Sequence, residues 1–124
     1  MMIALDHVGV PVRNATAAAS FLAEILGLAP ATPEGPEGEM ACLAIGESGV
    51  LLFCPAESVA GQHIAFRVDP TTFAGVVSRL LAKGVAFGND PEDLTNGQSA
   101  DPHGGGRGRV YFLDSDGHLF EVVA

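Results

Sequence analysis

Hydrophobic and polar positions along the chain first fall into two alternating segments, "HVGVPV" (7–12) and "HIAFRV" (63–68). Their Val, Ile and Phe content suits half-buried strands. Each segment then gives way to a helical period. Behind Asn14, the apolar Ala18, Phe21, Leu22 and Ile25 fall on one helix face; behind Asp69, Phe73, Val76, Val77 and Leu80 do the same. Asn14 and Asp69 are N-cap residue types, and Pro70 takes the first helical position, where a missing N–H does no harm. Gly27 and Gly84 stand where left-handed C-caps belong. His7 to Gly27 spans 20 residues and His63 to Gly84 spans 21, so the chain reads as an internal repeat.

Strand-like runs follow each helix. "GEMACLAIG" and "GVLLFCPA" are separated by the turn "GESG" in the first half. In the second half come "GVAFG", "GRVYFLD" and "HLFEVVA", the last two separated by the turn "DSDG". "PEGPEGE" (33–39) reads as a polar loop, and 89–108 as a longer one, of a length that is usually functional or mobile. Strand, helix, then two or three strands, given twice, is an α+β arrangement. We expect one domain over 1–124, with modules at about 1–57 and 60–124.

Composition narrows the function classes. The 124 residues are 48% hydrophobic, enough for a globular core. Six basic against 15 acidic residues give a net charge of −9, which argues against a nucleic-acid partner or an anionic membrane surface. No apolar run approaches the roughly 20 residues that span a bilayer. "MMIALDHV" lacks a basic n-region, so we expect no signal peptide and a cytoplasmic location. Cys42 and Cys54 make neither a disulfide framework nor a C-x-x-C knuckle. Their spacing suits neighbouring strands, where they either pair or, in a reducing compartment, stay free thiols.

The candidate chemistry lies in the repeat. His63 matches His7, and the closing strand carries Glu121 between Phe120 and Val122, where an acid needs a partner or a metal. Leu119, Glu121 and Val123 share one strand face; His118, Phe120 and Val122 share the other. If Glu121 faces the interior of a curved sheet with His7 and His63, the three form a 2-His-1-carboxylate set. Such a set leaves positions open for substrate or oxygen and suits divalent Fe, Mn, Ni, Zn or Co. His118 belongs to the turn and the opposite face, a structural position. His103 is either a solvated side chain or an acid–base group, should its loop fold over the site. The run "HGGGRGR" (103–109) lacks P-loop spacing and enters a strand, so it reads as a flexible loop. Arg109 shares parity with Tyr111, and Arg67 with His63. Each arginine either offers bidentate donors to an anionic substrate group or forms a surface ion pair.

"LDHVGVPV", "QHIAFRV" and above all "VYFLDSDGHLFEVV" together resemble the vicinal oxygen chelate superfamily. It includes glyoxalase I, bleomycin-resistance proteins, fosfomycin-resistance thiol transferases, methylmalonyl-CoA epimerase and type I extradiol dioxygenases. The resemblance covers essentially the whole chain. It implies a glyoxalase-like fold, with two tandem βαβββ modules forming a cup-shaped mixed sheet and the helices outside. It also implies a homodimer and one divalent metal ion per site, held by His7, His63 and Glu121. The implied function is a metal-dependent enzyme on a small oxygen-chelating substrate: a glyoxalase-like lyase or isomerase, a thiol transferase or a dioxygenase. Tyr111, ten residues before Glu121, matches a tyrosine of the fosfomycin and extradiol enzymes and would hydrogen-bond the bound oxygen. Arg67 or Arg109 would orient an anionic group. Two departures stand out. Aligning Gly49 with Gly117 sets Phe53 opposite Glu121, so the fourth carboxylate ligand of glyoxalase I is missing. Gly9 stands where the fosfomycin enzymes carry a hydroxyl. The alternative is a metal-free, bleomycin-resistance-type protein that sequesters a small cationic ligand, which the net charge of −9 suits.

Overall fold

Strand β1 (His7–Val12) alternates as the sequence pattern requires: Val10 and Val12 are fully buried, while His7 and Gly9 are exposed. It opens a computed structural model that describes residues 1–124, in which the chain divides into two units, Met1–Ala60 and Gly61–Ala124.

In the first unit, helix α1 (Ala15–Leu26) follows β1. The Asn14 side chain accepts the Ala17 N–H at 3.0 Å, and Gly27 closes the helix at φ 71°. That angle is open to glycine at little cost. The helix buries Ala18, Leu22 and Ile25, each large side chain worth about 1.5–3 kcal/mol. Strands β2 (Thr32–Glu34), β3 (Met40–Ile45) and β4 (Gly49–Pro55) complete a sheet of order β1-β4-β3-β2. β1 runs parallel to β4 and the other pairs are antiparallel. The buried face of this sheet carries Val10, Val12, Ala41, Leu43, Leu51 and Phe53. Its opposite face carries His7, Gly9, Cys42, Leu52 and Cys54.

The second unit repeats the plan. Strand β5 (His63–Arg67) leads into helix α2 (Pro70–Ala82), whose N-cap Asp69 accepts the Thr72 N–H at 2.7 Å. Strands β6 (Arg109–Leu113) and β7 (Leu119–Val123) complete a sheet of order β5-β7-β6, again with one parallel and one antiparallel pairing. Its buried face is aromatic, with Phe112 and Phe120 fully buried and their centroids 5.6 Å apart. The result is α+β, with two mixed sheets, of four and three strands, and two helices.

Three local expectations need correction. "GVAFG" forms no ladder; Gly88 alone bridges to Tyr111, with the Asp93 carbonyl packed against it where a side chain would stand. Part of the expected polar loop 33–39 is strand, since Pro33 and Glu34 belong to β2. The 89–108 segment is tied down rather than structureless. Asn89 is buried, donates to the Ala100 carbonyl at 2.8 Å and accepts from Asn96 at 2.8 Å, while Arg109 N–H bonds Ser99.

Candidate functional site

Register sets out the site face of the second sheet in three rows. His63, Leu119 and Leu113 form one; Ala65, Glu121 and Tyr111 the next; Arg67, Val123 and Arg109 the third. Paired residues point to one side of a sheet, so His63, Glu121, Tyr111, Arg67 and Arg109 all share this face. Their neighbours Phe66, Phe120, Val122, Val110 and Phe112 take the other.

Glu121 is the centre of the arrangement. It is only 7% exposed, and each of its oxygens has a partner. His63 Nε2 lies 2.8 Å from Oε1, and Arg109 Nη1 donates to Oε2. Arg109 also reaches Asp101 at 3.5 Å, while its Nε is buried without a hydrogen-bond partner. Tyr111 is buried beside them, its ring centroid 6.2 Å from that of His63. Burial pushes its pKa above 10.0; Arg109 opposes that rise and the Glu121 charge adds to it. Asp101 is held below the usual carboxylate range, first by the His103 backbone N–H and, against some desolvation, by Arg109.

The loop 89–108 contributes to this neighbourhood. His103, with Asn89, Asp90, Glu92, Arg109 and Tyr111, lines a cavity of about 500 Å³. Arg67 lies exposed at the end of β5. His118 is fully buried, its Nδ1 accepting the Gln62 N–H at 2.9 Å, as its strand parity requires of a structural residue.

His7 occupies in the first sheet the register position that His63 occupies in the second: His7 pairs with Val50, the second residue of β4, and His63 with Leu119, the first of β7. The matching registers make Leu52 the counterpart of Glu121, and Phe53 the counterpart of the buried Val122. The alignment through the two glycines is therefore off by one residue, because β4 starts at Gly49 itself whereas His118 separates Gly117 from β7. No carboxylate stands at the position either way. His7 Nδ1 lies 2.7 Å from Asp6 Oδ2, a contact that in the Nδ1–H tautomer turns the Nε2 lone pair away from Asp6. Asp6 was not singled out by the sequence; its place directly before the histidine was the available signal. Asp101, eight residues from Arg109, offered none.

His63 and Glu121 are donor types that a divalent cation takes. His63 Nε2 and Glu121 Oε1 stand 2.8 Å apart, at hydrogen-bond distance. A ligating histidine ordinarily gives its other nitrogen to a carboxylate, as His7 does to Asp6. His63 and Glu121 come together within one unit, His7 belongs to the other, and no group of three His, Cys, Asp or Glu side chains converges.

The profile of the Glyoxalase/Bleomycin resistance protein/Dioxygenase superfamily matches residues 4–122. No curated protein sequence matches the chain. Among solved structures, oxidase ChaP-H1 is 31% identical, with a TM-score of 0.88 and 99% of this chain and 96% of that one covered. Oxidase ChaP-H2 is 29% identical, with a TM-score of 0.87 over 100% and 94% of the two chains. The fosfomycin resistance protein FosX from Listeria monocytogenes, complexed with Mn(II) and sulfate, shares the fold at 23% identity and a TM-score of 0.67, covering 100% and 91%.

Proposed function

The chain belongs to the Glyoxalase/Bleomycin resistance protein/Dioxygenase superfamily, and from that membership we propose a cytoplasmic, homodimeric, divalent-metal-dependent enzyme acting on a small oxygen-chelating molecule. The observation that carries this reading is the buried Glu121 meeting His63 at 2.8 Å. A carboxylate so placed costs stability unless it is paired or ligating, and a ligand role explains why an acid stands there at all. His7, oriented by Asp6, is the third donor. When bound, the ion supplies Lewis acidity to a chelating pair of substrate oxygens.

The chain's own groups do the rest. Tyr111, kept neutral by burial, donates a hydrogen bond from its hydroxyl to a substrate oxygen. Arg109 fixes the second oxygen of Glu121 and so sets the direction of the first. Arg67 holds an anionic group of the substrate, Arg109 being engaged by Glu121 and Asp101, and His103 exchanges a proton from the loop side. Of the lyase, thiol-transfer and oxidative chemistries, oxidation is the one supported by the likeness to the ChaP oxidases at 31% and 29% identity. No helix of the chain is long and apolar enough to cross a membrane.

A metal-free, ligand-sequestering protein has one observation in its favour: Arg109 and His63 together satisfy Glu121 without a cation. Mn(II) titration of chelator-treated protein separates the two readings. Uptake of one ion per chain, with a stabilisation of about 2.7 kcal/mol at a hundredfold excess over Kd, is expected. His63→Ala and Glu121→Gln should abolish both. Absence of uptake, with an unchanged melting temperature in the wild type, overturns the metal-dependent reading in favour of sequestration.

A further inference from the structure

We propose that the open face of the first sheet carries a thiophilic cation site, made by Met40, Cys42 and Cys54, that takes one soft monovalent ion of the Cu(I) class. None of its three ligands belongs to the divalent centre, although His7 and Asp6 line the same cavity, and the proposal does not depend on that assignment.

Met40 and Cys42 are two residues apart on β3, so their side chains leave the same face. The ladder pairs Ala41 with Phe53 and Cys42 with Leu52, which sets Cys54 opposite Met40. Cys54 Sγ lies 3.7 Å from Met40 Sδ. Tetrahedral ligands on an ion with metal–sulfur bonds near 2.3 Å stand about 3.8 Å apart, so two of the three sulfurs already have ligand spacing. Cys42 is the diagonal neighbour of Cys54, at a Cα separation of about 7–8 Å. A disulfide is disfavoured beyond about 7 Å, whereas an ion between the thiolates bridges the longer gap. Both cysteines are free thiols and only half-buried.

Met40 and Cys42, with His7, Val50 and Leu52, line a cavity of about 520 Å³, which gives an ion a way in; Cys54 lies behind Met40. The donor set decides the class of ion: a thioether and two thiolates are soft ligands, which favour a soft monovalent cation. Asp6 and Glu34, on the same cavity, add negative potential. On binding, each thiol loses its proton and forms a metal–sulfur bond, Met40 gives a lone pair, and no electron is transferred. One bound Cu(I) therefore releases two protons.

The test is an anaerobic titration of reduced, full-length protein with Cu(I) supplied as its acetonitrile complex, read by sulfur-to-copper charge-transfer absorption and by proton release. One ion per chain and two protons per ion are expected. Cys42→Ser and Cys54→Ser should each remove the site, and Met40→Leu should weaken it by about tenfold or more. Circular dichroism checks that each variant is folded. His63→Ala and His7→Ala should each bind Cu(I) as the wild type does, which separates this site from the divalent one. Two ions per chain with each serine variant losing one, wild-type affinity in Met40→Leu, or ready formation of a Cys42–Cys54 disulfide with oxidised glutathione would overturn the proposal.

Discussion

Glu121 sits among apolar strand residues, yet its carboxylate meets a guanidinium, an imidazole and a phenol on one face of the second sheet. The phenol gives direct access to this environment. Tyr111 is the chain's one tyrosine and there is no tryptophan, so phenolate absorbance reports this residue alone. Burial, with the Glu121 charge adding to it and Arg109 opposing, lifts its pKa above the ordinary 10.0. The folded state thus holds the phenolic proton more tightly than the unfolded chain. The associated stability is fully present below the unfolded value and is lost as pH rises through the folded one. In a spectrophotometric titration, the native phenolate is expected at higher pH than in urea-unfolded protein. Glu121→Gln should narrow that gap by removing the charge and leaving the burial.

Elements place these residues, and one tight contact ties the residue before β6 to α2. Gly108 lies against the Phe73 ring, and a Cβ built there runs into its Cε2 and Cζ atoms. Gly108→Ala should destabilise the protein by about 1–3 kcal/mol, the range for overpacking. Phe73→Leu in the same chain should recover part of that loss, because the obstructing ring edge is gone; urea denaturation measures both. The helices and the opening strands were readable because caps and periodicity act locally: Asn14, Gly27, Asp69 and Pro70 all do in the fold what their chemistry predicts. β2 was not, since Thr32, Pro33 and Glu34 are all exposed and carry no apolar alternation. The 89–108 segment looked loose because its order comes from Asn89 and Asn96 side chains bonding across seven residues, which no periodicity encodes. The pairing of His63 with Glu121 could be anticipated from the repeat and strand parity. The clamp by Arg109 and Asp101 could not, because ion-pair partners leave no spacing rule.

At the scale of the molecule, the histidine strands lie at sheet edges: β1 ends the order β1-β4-β3-β2 and β5 ends β5-β7-β6. An edge strand presents a row of unpaired backbone groups, a template for another chain. Ahead of β1, Ile3 and Leu5 are 84% and 67% exposed, apolar surface that a monomer leaves in water. Together these features favour association of two copies, while the net charge of −9 on each opposes it. Backbone pairing and apolar burial are little affected by salt, whereas the repulsion is screened within about 8 Å at physiological ionic strength. The balance sets the sign of the salt effect. Sedimentation should give a species of about twice 12.7 kDa whose dissociation constant falls as salt rises, the reverse of an assembly held by ion pairs. Replacing Ile3 and Leu5 by Asp removes exposed apolar area and adds like charge without entering the core. That variant should dissociate at higher protein concentration than the wild type, and most strongly at low salt.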